Sequence, residues 1–322
     1  MQTRTPSQRQ LAAAEERPGL PDGVEIHDVL RRVRAIEVST RRRVQDLLAG
    51  RYRSQFKGQG IDFDQVREYT PGDDIRSIDW NVTARSGRPF VKEHIEERQL
   101  TMLLLVDVSA SEVFGSGERS KRQLAAEIAS ALAFSAIANE DRVGVILFSD
   151  RVERYIPPGK GRRHVLRVIH EILSAEPEGK GTDIRAALDF ANRVSKRRCV
   201  AFLISDFLLN GDQGTALGAL EETLRLTNIR HDLVAVRVED PRERELPDVG
   251  RIALEDPETG ELVEINTSRR KVRERFAELA RERAERLAQA FRQARVDALQ
   301  VSTDDDPVAG LATFFERRVG RA

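Results

Sequence analysis

Short apolar runs alternate with longer stretches of helical periodicity through the carboxyl-terminal two-thirds of the chain. Leu100 to Val106, Val143 to Phe148, Val200 to Ile204 and Asp232 to Val238 read as strands buried on both faces of a parallel sheet. Between them, apolar residues recur at helical spacing over Lys121 to Ala138, His164 to Ser174, Ile184 to Val194 and Thr215 to Leu226. Val152 to Ile156 is shorter and more polar, as an edge strand should be. The pattern then changes. Ile252 to Leu254 and Leu262 to Ile265 flank Pro257-Glu-Thr-Gly260 and predict a β-hairpin insertion near 251–266. A long charged helix from Ser268 to Ala294, a strand from Ala298 to Val301 and a helix from Pro307 to Val319 complete the chain. This alternation predicts an α/β fold: a doubly wound, mostly parallel sheet with helices on both faces, spanning 99–322.

The first third reads differently. Residues 1–24 lack a sustained apolar stripe and read as a flexible tail. Residues 25–98 read as a separate module. It opens with a helix from His27 to Ala49, whose polar face carries Arg31, Arg32, Arg34, Arg41, Arg42 and Arg43. Then β-prone pieces at Phe63 to Tyr69, Ile75 to Val82 and Pro89 to Ile95 surround the turn signal Pro71-Gly72-Asp73-Asp74. Arg67, Arg76 and Arg85 are expected to pair with Asp73, Asp74 and Asp79, because the guanidinium fork fits a carboxylate. Trp80 is expected to anchor the packing.

Composition narrows the function classes. With Lys+Arg 53 and Asp+Glu 53, the chain has no basic excess for bulk nucleic-acid binding. Cys199 is the only cysteine, so no intrachain disulfide forms, and its apolar neighbours predict a buried, inert thiol. No run approaches the roughly 18 apolar residues of a membrane span, and residues 1–21 lack a signal peptide's apolar core. A cytoplasmic location is expected, with peripheral membrane association only through partners. No His or Cys cluster has metal-ligand spacing, and Gly159-Lys-Gly161 lacks the rest of a nucleotide-binding phosphate loop.

The candidate chemistry lies at strand ends. Asp107, Ser109 and Ser111 follow the first strand of the sheet, Thr182 precedes a helix, and Asp206 follows the strand Val200 to Ile204. In open α/β sheets, ligands bind outside the carboxyl ends of the strands. Five hard oxygen donors with two carboxylates suit one small divalent cation, foremost Mg²⁺, with Mn²⁺ or Ca²⁺ as alternatives. Asp183 and Glu112 adjoin these residues and read as facing solvent or supporting the ligands from behind.

Together these five residues closely resemble the metal-ion-dependent adhesion site (MIDAS) of von Willebrand factor A domains. The resemblance implies that Ser109, Ser111 and Thr182 coordinate Mg²⁺ directly, and that the aspartates act through water. The stretch Gly72-Asp-Asp-Ile-Arg76-Ser-Ile-Asp79-Trp80-Asn-Val-Thr83-Ala-Arg85 is similar to the signature of the bacterial "domain of unknown function 58" proteins. Members of that family are commonly encoded beside MoxR-type AAA+ ATPases. The implied function is a metal-dependent protein-binding adaptor, not an enzyme. It would engage an acidic side chain of such an ATPase or of a client in chaperone-like assembly or remodelling. The alternatives are metal-assisted hydrolysis or phosphoryl transfer at the same ion, and a metal-free scaffold.

Overall fold

The computed structural model describes residues 65–71, 73–75, 78–93, 100–117, 119–179, 181–209, 213–255 and 262–319. The tail and helix expected before residue 50 lie outside the described residues, as do Gly72 and Arg76.

The central sheet has six strands: β3 (Thr101–Asp107), β4 (Arg142–Phe148), β5 (Val152–Gly159), β6 (Val200–Ser205), β7 (Asp232–Glu239) and β10 (Asp297–Ser302). Their order is β10-β7-β6-β3-β4-β5, parallel throughout except that β5 runs antiparallel to β4 at the edge. This is the doubly wound order, in which the chain winds outward in both directions from its first sheet strand.

Residues on β3 alternate between two helical layers, as a period of two dictates. Met102, Leu104 and Val106 pack with α2 (Lys121–Ala138), α3 (Arg162–Leu173) and α8 (Pro307–Val319). Leu103 and Leu105 face α4 (Ile184–Val194), α5 (Gln213–Arg230) and α7 (Arg270–Gln293). Both faces being covered explains why these strands read as unbroken apolar runs. The short helix α6 (Pro241–Arg244) follows β7, and the predicted hairpin forms as β8 (Arg251–Glu255) against β9 (Leu262–Asn266).

The amino-terminal module departs from expectation. β1 (Gln65–Glu68) and β2 (Phe90–Glu93) form an antiparallel pair, but the described residues of Ile75 to Val82 do not form the expected strand. Trp80–Ser86 is instead a helix, α1, and among the described residues of the stretch only Ile78 keeps a β contact, an isolated bridge to Val91. The reason is local. Asp79 caps the helix by accepting from the backbone N–H of Asn81 and Val82, which outweighs the β-propensity of Ile78, Trp80 and Val82. Of the expected Arg–Asp pairs, Arg67–Asp73 forms as a two-pronged ion pair, both N–O distances 2.7 Å. Asp73 also accepts from Thr70, and the Arg67 guanidinium holds its carboxyl far below the usual range. Trp80 does not anchor packing, because 67% of it is exposed.

Cys199 is buried beside His231, and burial pushes its thiol up to about 11. The native chain should therefore resist iodoacetamide and Ellman's reagent at pH 8 and react only once unfolded. Rapid labelling of folded protein would contradict this packing.

Candidate metal centre

The carboxyl ends of β3 and β6 meet at the point where the sheet's winding reverses. Asp107 ends β3, and Asp206 follows β6 by one residue. Residues distant in sequence thus become neighbours. Asp107, Glu112 and Asp206 are all buried, and each offers a carboxylate oxygen within 4.8 Å of the others.

Hydrogen bonds fix this cluster. The Ser109 N–H donates to Asp107 Oδ1 at 2.9 Å and turns the chain back on itself. A 3₁₀ turn, Ala110–Val113, carries Glu112 inward, where the Asp206 N–H donates to its Oε1 at 3.0 Å. The hydroxyls of Ser109 and Ser111 lie 3.2 Å apart in the same turn. Ser205 donates its hydroxyl to Asp107 Oδ2 at 2.7 Å and accepts the Phe207 N–H at 3.0 Å. Leu208 N–H donates to Asp206 Oδ1 at 3.0 Å. The turn leaving β6 requires Phe207 to adopt a left-handed φ of 58°, a strained conformation for a bulky residue. Its ring packs edge-on against Phe291, with centroids 5.1 Å apart.

Thr182 arrives from the loop before α4. The Asp183 N–H donates to the Ser149 carbonyl at 2.7 Å, which pins this loop to the carboxyl end of β4, the strand beside β3. Gly179 packs close to β4 there: a Cβ would stand 2.2 Å from the side-chain oxygens Ser149 Oγ and Asp150 Oδ1, which would have to shift. Thr182 is 7% exposed, and its hydroxyl has no hydrogen-bond partner among the described residues. Thus Asp107, Ser109, Ser111 and Asp206 lie in one hydrogen-bonded neighbourhood, and Thr182 lies at the end of the adjacent strand. Asp183 faces outward and caps α4 by accepting from the Ala186 N–H at 3.1 Å.

Two residues gain importance that sequence reading did not give them. Glu112 does not face solvent. It is fully buried, and its Oε2 lacks a hydrogen-bond partner among the described residues. Lys121 is also fully buried, with its ammonium 2.6 Å from Asp206 Oδ2 and 2.6 Å from Glu243 Oε1. Sequence did hold one signal for Lys121. A lysine in the first turn opposes the helix dipole, and such a local conflict marks a tertiary partner.

The electrostatics follow from burial. Desolvation, then the Asp206 charge, pushes the Asp107 carboxyl up to about 7. The same two causes, with Asp107 added, raise Glu112 well above the usual carboxylate range. For Lys121, desolvation pulls downward, but Asp206, Glu112 and Glu243 together outweigh it, and the ammonium is held charged. The residues fit a hard divalent cation on their own chemistry: three clustered carboxylates, the hydroxyls of Ser109 and Ser111 beside them, and a buried Glu112 Oε2 without a hydrogen-bond partner among the described residues.

The chain is similar over most of its length to mycobacterial proteins. The uncharacterized protein Mb1516 of Mycobacterium bovis is 33% identical over 291 residues, covering 89% of this chain and 88% of that protein. The uncharacterized protein MAV169 of Mycobacterium avium is 32% identical over 165 residues, covering 51% of this chain and 93% of that one. Among solved structures, an aerotolerance-related membrane protein from Bacteroides fragilis aligns with a TM-score of 0.47 and 14% identity, covering 69% of this chain and 100% of that one. The SpRpn10 von Willebrand A domain aligns with a TM-score of 0.37 and 12% identity, covering 66% and 93%. The fold assignment therefore stands on the chain's own strand order, that of a doubly wound α/β sheet. Residues 65–286 match the family described as "Protein of unknown function DUF58", and the chain belongs to that family.

Proposed function

We propose that this chain is a metal-dependent protein-binding adaptor whose MIDAS-like site holds Mg²⁺, with Mn²⁺ or Ca²⁺ as the alternatives. The observation that most supports this reading is Glu112 Oε2, buried within the cluster of three carboxylates without a hydrogen-bond partner among the described residues. Leaving such an atom unsatisfied costs about 1–3 kcal/mol, a deficit that a bound cation would remove. Asp107, Ser109, Ser111, Thr182 and Asp206 would hold the ion, and Glu112 joins them. When bound, the ion supplies an electrophilic position for one more oxygen, such as a partner's carboxylate.

The chain's own residues then serve recognition. Val113 and Phe114 follow Glu112 directly and are 60% and 45% exposed, which gives an apolar contact next to the charged centre. Ile75 and Trp80, 65% and 67% exposed in the Gly72 to Arg85 stretch, offer a second contact. The partner class is an acidic side chain of a MoxR-type AAA+ ATPase, of a client protein, or of both. The proposed role is non-enzymatic; Asp183 is already engaged as the cap of α4, accepting from the Ala186 N–H. A cytoplasmic location is part of this proposal; among the described residues no helix is long and apolar enough to cross a membrane.

Metal occupancy should depend on pH with a definite sign. Because Asp107 and Glu112 are raised in the folded state, they stabilise the metal-free protein below their unfolded values. That contribution is lost as pH rises toward about 7. Mg²⁺ competes with those same protons. The gain in Tm on adding Mg²⁺ should therefore be small at pH 5 and larger at pH 7.5, and should shrink in Asp107→Asn. A pH-independent gain, or none, would argue against the site. Capture of a MoxR-type AAA+ ATPase by the tagged chain should fall at least tenfold with EDTA and with Asp107→Ala. Equal capture in all three conditions would remove metal-mediated docking.

A further inference from the structure

Lys121 begins α2, and its side chain runs inward until the ammonium is fully buried between two carboxylates. On one side is Asp206 Oδ2 at 2.6 Å, an oxygen of the metal centre. On the other is Glu243 Oε1 at 2.6 Å, on α6 and 26% exposed. A buried ion pair is weak evidence of stabilisation, because desolvation offsets most of the attraction. The placement therefore calls for another account.

A fixed ammonium on Asp206 competes for the lone pairs that a divalent ion would use. It is part of the chain, so it cannot diffuse away, and the entering ion must displace it or share the carboxylate. Displacement does not strand a buried charge, because Glu243 already holds the same nitrogen. Glu243 is itself fixed. Its Oε2 accepts the Asp240 N–H at 3.1 Å in a capping box. Asp240 is anchored in turn by the Ser116 N–H and hydroxyl, the Arg242 N–H and the Thr303 hydroxyl.

We infer that Lys121 is a tethered competing cation that sets the divalent-ion affinity of the site by holding Asp206, and that Glu243 receives it when the ion binds. This inference rests on the metal-binding reading above. It makes Lys121 and Glu243 positioning residues that act through Asp206 and not ligands.

The test is Mg²⁺ titration of the full-length chain by calorimetry, with folding checked by circular dichroism. Lys121→Met, apolar and of similar length, should bind Mg²⁺ about tenfold more tightly, since an opposing charge a few ångströms away is removed. Glu243→Gln keeps an amide oxygen for the capping box but no longer draws the ammonium off Asp206. It should bind Mg²⁺ about threefold or more weakly, and lose that effect in the Lys121→Met background, because it acts through the ammonium. A folded Lys121→Met with equal or weaker affinity overturns the inference. So does a Glu243→Gln effect that is absent, or that is the same in both backgrounds. The Glu243→Gln measurement stands alone if Lys121→Met does not fold. Should wild type give no Mg²⁺ signal while Lys121→Met binds, the competing-cation role is supported in its strongest form. Silence from both defeats the metal reading, and this inference falls with it.

Discussion

Three carboxylates are buried together at the carboxyl ends of β3 and β6, and the surrounding structure is arranged to tolerate them. Charged groups out of water need partners, and most of these oxygens have one: backbone N–H groups of Ser109, Asp206 and Leu208, the Ser205 hydroxyl and the Lys121 ammonium. The compensation is incomplete. Glu112 Oε2 remains buried without a hydrogen-bond partner among the described residues, and the carboxyls of Asp107 and Glu112 are pushed upward. A site in this condition has an appetite for positive charge, supplied in part by Lys121 and otherwise by protons or a metal.

The sheet makes this concentration possible. Its two central strands are covered on both faces by helices, so their ends are rigid and shielded from water. The strained turn at Phe207, locked by Phe291 on α7, holds Asp206 in place. The Asp183 N–H ties the Thr182 loop to the Ser149 carbonyl at the end of β4. Each device comes from a different part of the chain, yet all converge where the winding reverses. The same loops leave Val113 and Phe114 exposed beside the cluster, so the charged centre and an apolar contact share one face.

Much of the fold was legible because both helical layers and buried strands leave periodic signatures. Strand β6 and helices α4 and α8 stand where the apolar pattern put them, since tertiary packing there agrees with local preference. The Ile75 to Val82 stretch was misread because one capping aspartate, Asp79, outweighed the β-propensity of its neighbours. The exposure of Trp80 shows the limit of inferring burial from residue type.

By itself, the sequence determined the doubly wound class, the strand ends at which Asp107 and Asp206 sit, and the turn-forming serines between Asp107 and Glu112. These depend on local periodicity and on residue chemistry at fixed spacing. Only the tertiary structure decided that Glu112 turns inward and that Lys121 reaches Asp206 across 85 residues of chain. No local pattern encodes which carboxylate a buried ammonium will meet, because that contact exists only once the two ends of the sheet's central strands are packed side by side.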